Sequence, residues 1–257
     1  MEFVTYEVEN RIGYITLNRP EKRNALSPQL ISELQQAFTR ASEDATVKVV
    51  VLKANGKVFC AGADLAYIQT LQTNTFEENL EDSMHLRNLF YKIYTMGKVV
   101  IAQVHGHAIA GGCGLASICD FVYSAPEAKY GYTEVKIGFI PALVKVFLLR
   151  KLGETRVKEL LLSGDLITAD RAETIGLITE VVAAEELEGK VNQLAEHLCK
   201  QNSGDSMAFT KKMIAEIPCM SIEDGLNYAA QQNARARATE DCKKGIAGFL
   251  NKESVTW

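Results

Sequence analysis

Short apolar runs that alternate with helix-length segments constrain this chain more than any other feature. Val47–Leu52, Val99–Val104 and Asp120–Ser124 are too short for helices, and the first two are rich in valine. They read as buried strands. Between and after them, apolar residues fall at helical spacing, as in Leu30, Leu34 and Phe38, which follow Ser27-Pro28 as N-cap and first helical residue. Strands alternating with helices predict an α/β fold with largely parallel pairing. Phe3–Val8 and Ile12–Leu17, around Asn10-Arg11, predict a β-hairpin in front of it. Val58–Asp64 reads as a further short strand, as do Lys129–Tyr130 and Leu177–Val182. Helices are expected over 85–95, 112–119, 143–152, 156–162 and 169–175. Residues 71–82 are polar and acidic, and read as a mobile stretch. From Glu185 onward the pattern is helical only, with a break at Asn202–Asp205. The chain therefore divides into a core, 1–199, and a helical C-terminal region, 200–257.

Composition removes several function classes. The net charge of −4 lacks the basic field that a nucleic-acid surface needs. Val99–Cys119 contains no charged residue, but Gln103, His105, His107, Ser117 and four glycines suit a strand, turn and buried helix better than a membrane span. The N-terminus has no signal-peptide pattern. The six cysteines form no CxxC pair and read as free thiols of a reducing, cytoplasmic compartment. His105 and His107 are spaced for a strand rather than a zinc-binding helix face, so no metal site is expected.

Two segments share a design. CAGAD at 60–64 and AGGCG at 110–114 each carry a buried strand into a turn of Gly and Ala that opens a helix. N–H groups at a helix start have no intrahelical partner and suit an anion or a developing oxyanion. Tight helix–sheet packing demands small residues equally, so spacing alone leaves both readings open. Glu134, in YGYTEVKIGFIP, is flanked by apolar residues. A carboxylate buried there would have a raised pKa, useful to a general acid or base; an exposed loop glutamate is the alternative.

Taken together, YITLNRPEKRNALS, VVVLKANGKVFCAGADL, KVVIAQVHGHAIAGGCGLASICDFVYS, AKYGYTEVKIGFIP and LLLSGDLITADRAETIGLITEVV resemble the enoyl-CoA hydratase/isomerase (crotonase) superfamily. The resemblance implies a spiral of ββα turns, with a C-terminal helical region used for trimerisation, often as a dimer of trimers. It implies an acyl-CoA thioester as ligand, with coenzyme A part of the substrate and no separate cofactor. By motif position, the N–H groups of Ala63 and Gly111 form the oxyanion hole. Lys22, Asn24, Ala25, Leu26, Ala61, Asp64, Leu65 and Gly112 line the path of the CoA ester. Phe249 matches a tail aromatic near the adenine. Lys22 or Arg23 meets phosphate, or is a solvated cation.

Two departures bear on chemistry. The family's hydratases usually carry a second glutamate directly after GGC; here that position is Gly114. Two glutamates can hold one water between them, whereas Glu134 alone suits shuttling a proton between C4 and C2. A mid-helix glycine also costs about 1 kcal/mol against alanine, so an acyl group, a water or another helix is expected to use the space. The family's glycine-rich turn after Pro141 is replaced by Ala142-Leu143-Val144, which predicts a stiffer, more apolar acyl pocket. The run GYTEVKIGFIPALV resembles the methylglutaconyl-CoA hydratase branch. Three functions follow as expectations: a hydratase, a Δ3,Δ2-enoyl-CoA isomerase, and a CoA-thioester binder without turnover. His107 and Cys113 read as packing residues rather than catalysts. Tyr130 and Tyr132 flank Glu134, and one of them is expected to line the pocket.

Overall fold

The computed structural model describes all of residues 1–257. Strands β1 (Val4–Glu9) and β2 (Ile12–Leu17) form an antiparallel hairpin. Its turn residues Asn10 and Arg11 both take positive φ, the geometry that matches the twist of the flanking strands. β2 then pairs in parallel with β3 (Val49–Ala54), β3 with β4 (Val99–Val104), β4 with β6 (Phe121–Ser124) and β6 with β9 (Glu180–Val181). A second, three-stranded sheet runs β5 (Ala108–Ile109), β7 (Lys129–Gly131), β8 (Ile167–Thr168).

The valine runs are explained by two-sided burial. Val50, Leu52, Val100, Ala102 and Val104 face the larger core, which they share with α1 (Pro28–Glu43) and α3 (Phe76–Thr95). Val49, Val51, Val99 and Ile101 face the opposite side, where they pack with Leu187, Val191, Ala195 and Leu198 of α8 (Leu187–Gln201). A strand covered on both faces needs no alternation of polar residues.

Three expectations change. Val58–Asp64 joins no ladder; it makes single bridges, Cys60 to Ala108 and Ala63 to Leu26. Gly62, at φ +90°, breaks the extension. The expected strand Leu177–Val182 shrinks to Glu180–Val181, because the Leu177 and Ile178 N–H groups donate to the Ala172 carbonyl at the end of α7 (Ala169–Thr174). The stretch 71–82 is structured. After α2 (Leu65–Thr70), Thr75 and Glu78 form a reciprocal capping box that starts α3 at Phe76, well before the expected start at His85.

The remaining helices are α4 (Gly111–Ser117), α5 (Val144–Leu152), α6 (Glu154–Ser163), α9 (Gly204–Glu216), α10 (Ile222–Ala238) and α11 (Glu240–Asn251). Lys211 of α9 ties the C-terminal helices to the core. Its ammonium donates to the carbonyls of Ile93 and Lys98 and to Asp120 Oδ2, at 3.1, 2.9 and 2.7 Å. No helix is long and apolar enough to cross a membrane.

Candidate active site

The two small-residue turns lie against each other. The Cys60 N–H donates to the His107 carbonyl and the Ile109 N–H returns to Cys60 O, at 3.2 and 3.0 Å. On the other side, Leu26 N–H donates to Gly62 O and Asp64 N–H to Leu26 O, at 2.7 and 3.0 Å. CAGAD is thus held between the Leu26 segment and AGGCG. The N–H groups of Ala63 and Gly111 have no acceptor within the protein.

Each glycine has its own reason. A Cβ on Gly112 would stand 2.3 Å from the Cys60 carbonyl oxygen, and one on Gly62 would stand 2.8 Å from both Ile109 O and the Ala110 methyl. Those two glycines let the turns touch. Gly111 is less confined, its Cβ position meeting only Leu26 Cδ1 at 3.0 Å. Ala110 takes φ 51° and ψ −126°, a conformation that costs of order 1–3 kcal/mol outside glycine. Its own N–H is anchored 2.7 Å from Gly131 O.

That anchor places Glu134. Gly131 ends β7, and Glu134 opens a single 3-10 turn, Glu134–Ile137, just beyond it. The carboxylate is half-buried; Oε2 is fully buried and has no hydrogen-bond partner. Burial pushes its pKa above the ordinary carboxylate value, opposed only by its own backbone N–H. An unpartnered buried carboxylate oxygen is costly unless it has work to do.

At Gly114 the space is already filled. A Cβ there would stand 2.3 Å from Val144 Cγ1 and 3.4 Å from the Phe90 ring. Of the occupants considered from the sequence, the one found is another helix: Val144 is the first residue of α5, buried, and follows Pro141 and Ala142.

Several of the remaining candidates are occupied structurally. The Asn24 side chain is spent on the Asn55 and Val58 carbonyls and the Arg19 N–H. Asp64 caps α2 through Ala66 N–H and pairs with Arg19 at 2.9 Å. Burial would raise its pKa, but the Arg19 hydrogen bond and charge hold it below the usual value. Ala25 and Leu26 are buried, Ala61 is half-buried, and Ala63, Lys22 and Leu65 are exposed. Phe249 is 84% exposed on α11, which packs on α9 and α10. His107 is exposed rather than packed under the turn; its Nδ1 accepts from Lys129 N–H at 3.2 Å. Cys113 is fully buried, with its thiol pushed up to about 12 by burial. Tyr130 and Tyr132 are both fully buried, and Tyr132 meets the Ser117 hydroxyl at 3.3 Å. Four of the six thiols are buried; Cys219 is exposed and Cys242 partly so.

A cavity of about 930 Å³ lies between the core and helices α9 and α11, lined by Asp120, Lys151, Lys211 and Asp241 among others. It includes none of Ala63, Gly111 or Glu134.

The sequence pattern described as enoyl-CoA hydratase/isomerase matches residues 7–257. This chain belongs to that family. A Thermus thermophilus protein provisionally named enoyl-CoA hydratase is 42% identical, over 95% of this chain and 96% of its own. The crotonyl-CoA hydratase of Syntrophomonas wolfei is 33% identical, over 100% and 98%. The crystal structure of an enoyl-CoA hydratase from Shewanella pealeana superposes with a TM-score of 0.94 at 26% identity, covering 99% of this chain and 96% of that one. The fold is therefore the crotonase fold.

Two features of this family member lie outside the sequence reading. Arg19 braces the Asp64 turn from forty-five residues away, and the Val144–Gly114 fit joins segments thirty residues apart. Neither pairing leaves a local signal, because both are contacts between segments far apart in the chain.

Proposed function

We propose that this chain is an enoyl-CoA hydratase, adding water reversibly across a 2-enoyl-CoA to give a 3-hydroxyacyl-CoA. The observation that carries the reading is Glu134 Oε2, buried without a partner beside two turns whose leading N–H groups are unpaired. The Ala63 and Gly111 N–H groups take the thioester oxygen as charge develops on it, each such donor contributing about 2.7–4 kcal/mol. With the enolate stabilised, C3 becomes electrophilic to water. Glu134 takes the proton of that water as its oxygen bonds to C3, then returns it to C2. A branched acyl group such as 3-methylglutaconyl is proposed from the GYTEVKIGFIPALV run.

A second reading is Δ3,Δ2-enoyl-CoA isomerisation by Glu134 alone. The fit of Val144 against Gly114 favours it, since it leaves one carboxylate to move a proton between C2 and C4. Ultraviolet absorbance separates the two. Hydration of crotonyl-CoA removes the conjugated enoyl absorbance, whereas isomerisation of 3-butenoyl-CoA creates it. Glu134→Gln should slow whichever occurs by about 10²–10⁴-fold. Full turnover in that variant would refute the assignment of Glu134. Binding of a CoA ester without either product would point to the third reading, a binder.

Self-association as a trimer, or a hexamer of two trimers, belongs to the same proposal. It is supported by the apolar residues exposed on α10 and α11: Ile222 at 86%, Leu226 at 67%, Phe249 at 84% and Leu250 at 73%. Monomeric proteins rarely expose so many together. Light scattering on the eluting protein should give the mass of three or six chains; a single-chain mass would remove the proposal.

A further inference from the structure

Gly111, whose N–H is proposed to meet the thioester oxygen, begins α4, and residue 114 lies three positions along the same helix. Side chains three apart lie on one face of a helix, and each Cα–Cβ bond tilts back toward the N-terminus. A side chain at 114 would therefore stand beside whatever is bound at Gly111 N–H. Glycine leaves that place open, and the isopropyl group of Val144 enters it, with Cγ1 only 2.3 Å from where a Cβ would be. Phe90 closes the far side, with ring atoms 3.4 Å from the same point. Val144 is held there by the chain before it. Pro141 is buried, and Ala142 N–H donates to Ile140 O at 2.9 Å, turning the backbone directly into α5.

We propose that Val144 is a specificity-determining residue: its side chain, and not one from α4, forms the wall of the acyl pocket next to the oxyanion turn and limits the bulk that the acyl group can carry on that side. The inference rests on the acyl-CoA reading of the site. Because the wall is two methyl groups, it discriminates by shape alone and offers water no hydrogen-bond partner.

The test is a ratio of affinities, which needs no turnover. Dissociation constants for butanoyl-CoA and 3,3-dimethylbutanoyl-CoA are measured by calorimetry with the full-length protein. In Val144→Ala the ratio should move toward the bulky ester by about tenfold, the lower end of what a methylene-sized change in an apolar pocket produces. Val144→Thr has nearly the same shape and should leave the ratio unchanged. The double variant V144A/G114A puts a methyl back into the freed space from the helix side, and should return the ratio toward the wild-type value. A residue that merely stabilised α5 would lower both affinities together, and a wall elsewhere would leave both unchanged. Either way the ratio would stay put, and a ratio in Val144→Ala within about twofold of wild type would overturn the inference. If both esters bind and only the ratio fails to move, the acyl-CoA reading stands without Val144. If wild type binds neither ester, the reading and the inference fall together.

Discussion

Glu134 carries the clearest pH signature of any single residue here. Its folded-state pKa lies above the ordinary carboxylate value of about 4.3, because burial penalises the charged form. The native state thus holds a proton that the unfolded chain would release between those two values. Stability should fall as pH rises through that window, and the penalty stays in place above it. Glu134→Gln should accordingly melt at a higher temperature than wild type at neutral pH. The two melting temperatures should converge below the window, which thermal scans across pH would show. The same shift sets the activity profile: kcat/KM, if Glu134 acts first as base, should rise with pH through a midpoint above the ordinary carboxylate range. A midpoint at or below that range would mean that the carboxylate is solvated during turnover.

At the scale of elements, the site depends on contact between two turns rather than on either turn alone. Gly112 is the clearest test. Its added Cβ would press on the Cys60 carbonyl, a backbone atom that no rotamer change can move. Gly112→Ala should destabilise the protein by about 1–3 kcal/mol, read from the denaturant midpoint. It should also separate the Ala63 and Gly111 N–H groups and lower kcat by about 10²-fold or more, the loss expected of one oxyanion donor. Stability loss without loss of kcat would mean that the two turns do not act as one unit. Helix starts were partly legible in this respect. Ser27-Pro28 announced α1, and the Ser27 hydroxyl does accept the Leu30 N–H. The Thr75–Glu78 capping box is equally present in the sequence, and Phe76, Leu80 and Met84 follow it at helical spacing, but these apolar residues are exposed in an acidic stretch and bury no face that would announce the start of α3.

At the scale of the molecule, the C-terminal helices are joined to the core through a buried charge. Lys211 is 7% exposed and its ammonium is fully used by two carbonyls and Asp120. Lys211→Met would leave the Ile93 and Lys98 carbonyls without this donor and the partly exposed Asp120 without its cation. The expected cost is about 3 kcal/mol in urea unfolding, with hydrogen exchange rising first in α9. An unchanged exchange pattern in α9 would show that apolar packing alone holds the region. The exposed apolar residues of α10 and α11 belong to this scale too, since no contact within one chain covers them.

The sequence by itself determined the alternation of strands and helices, the parallel sheet and the family, because these rest on local periodicity and on motifs of consecutive residues. It also marked Glu134, since apolar neighbours in sequence foretell burial. Only the tertiary structure decided which glycines serve packing between turns, that Asn24 and Asp64 are engaged by the protein itself, and that Val144 fills the space beside Gly114. Those outcomes depend on distances between segments far apart in the chain. A glycine looks the same in sequence whether its missing side chain makes room for a ligand, a carbonyl oxygen or a valine.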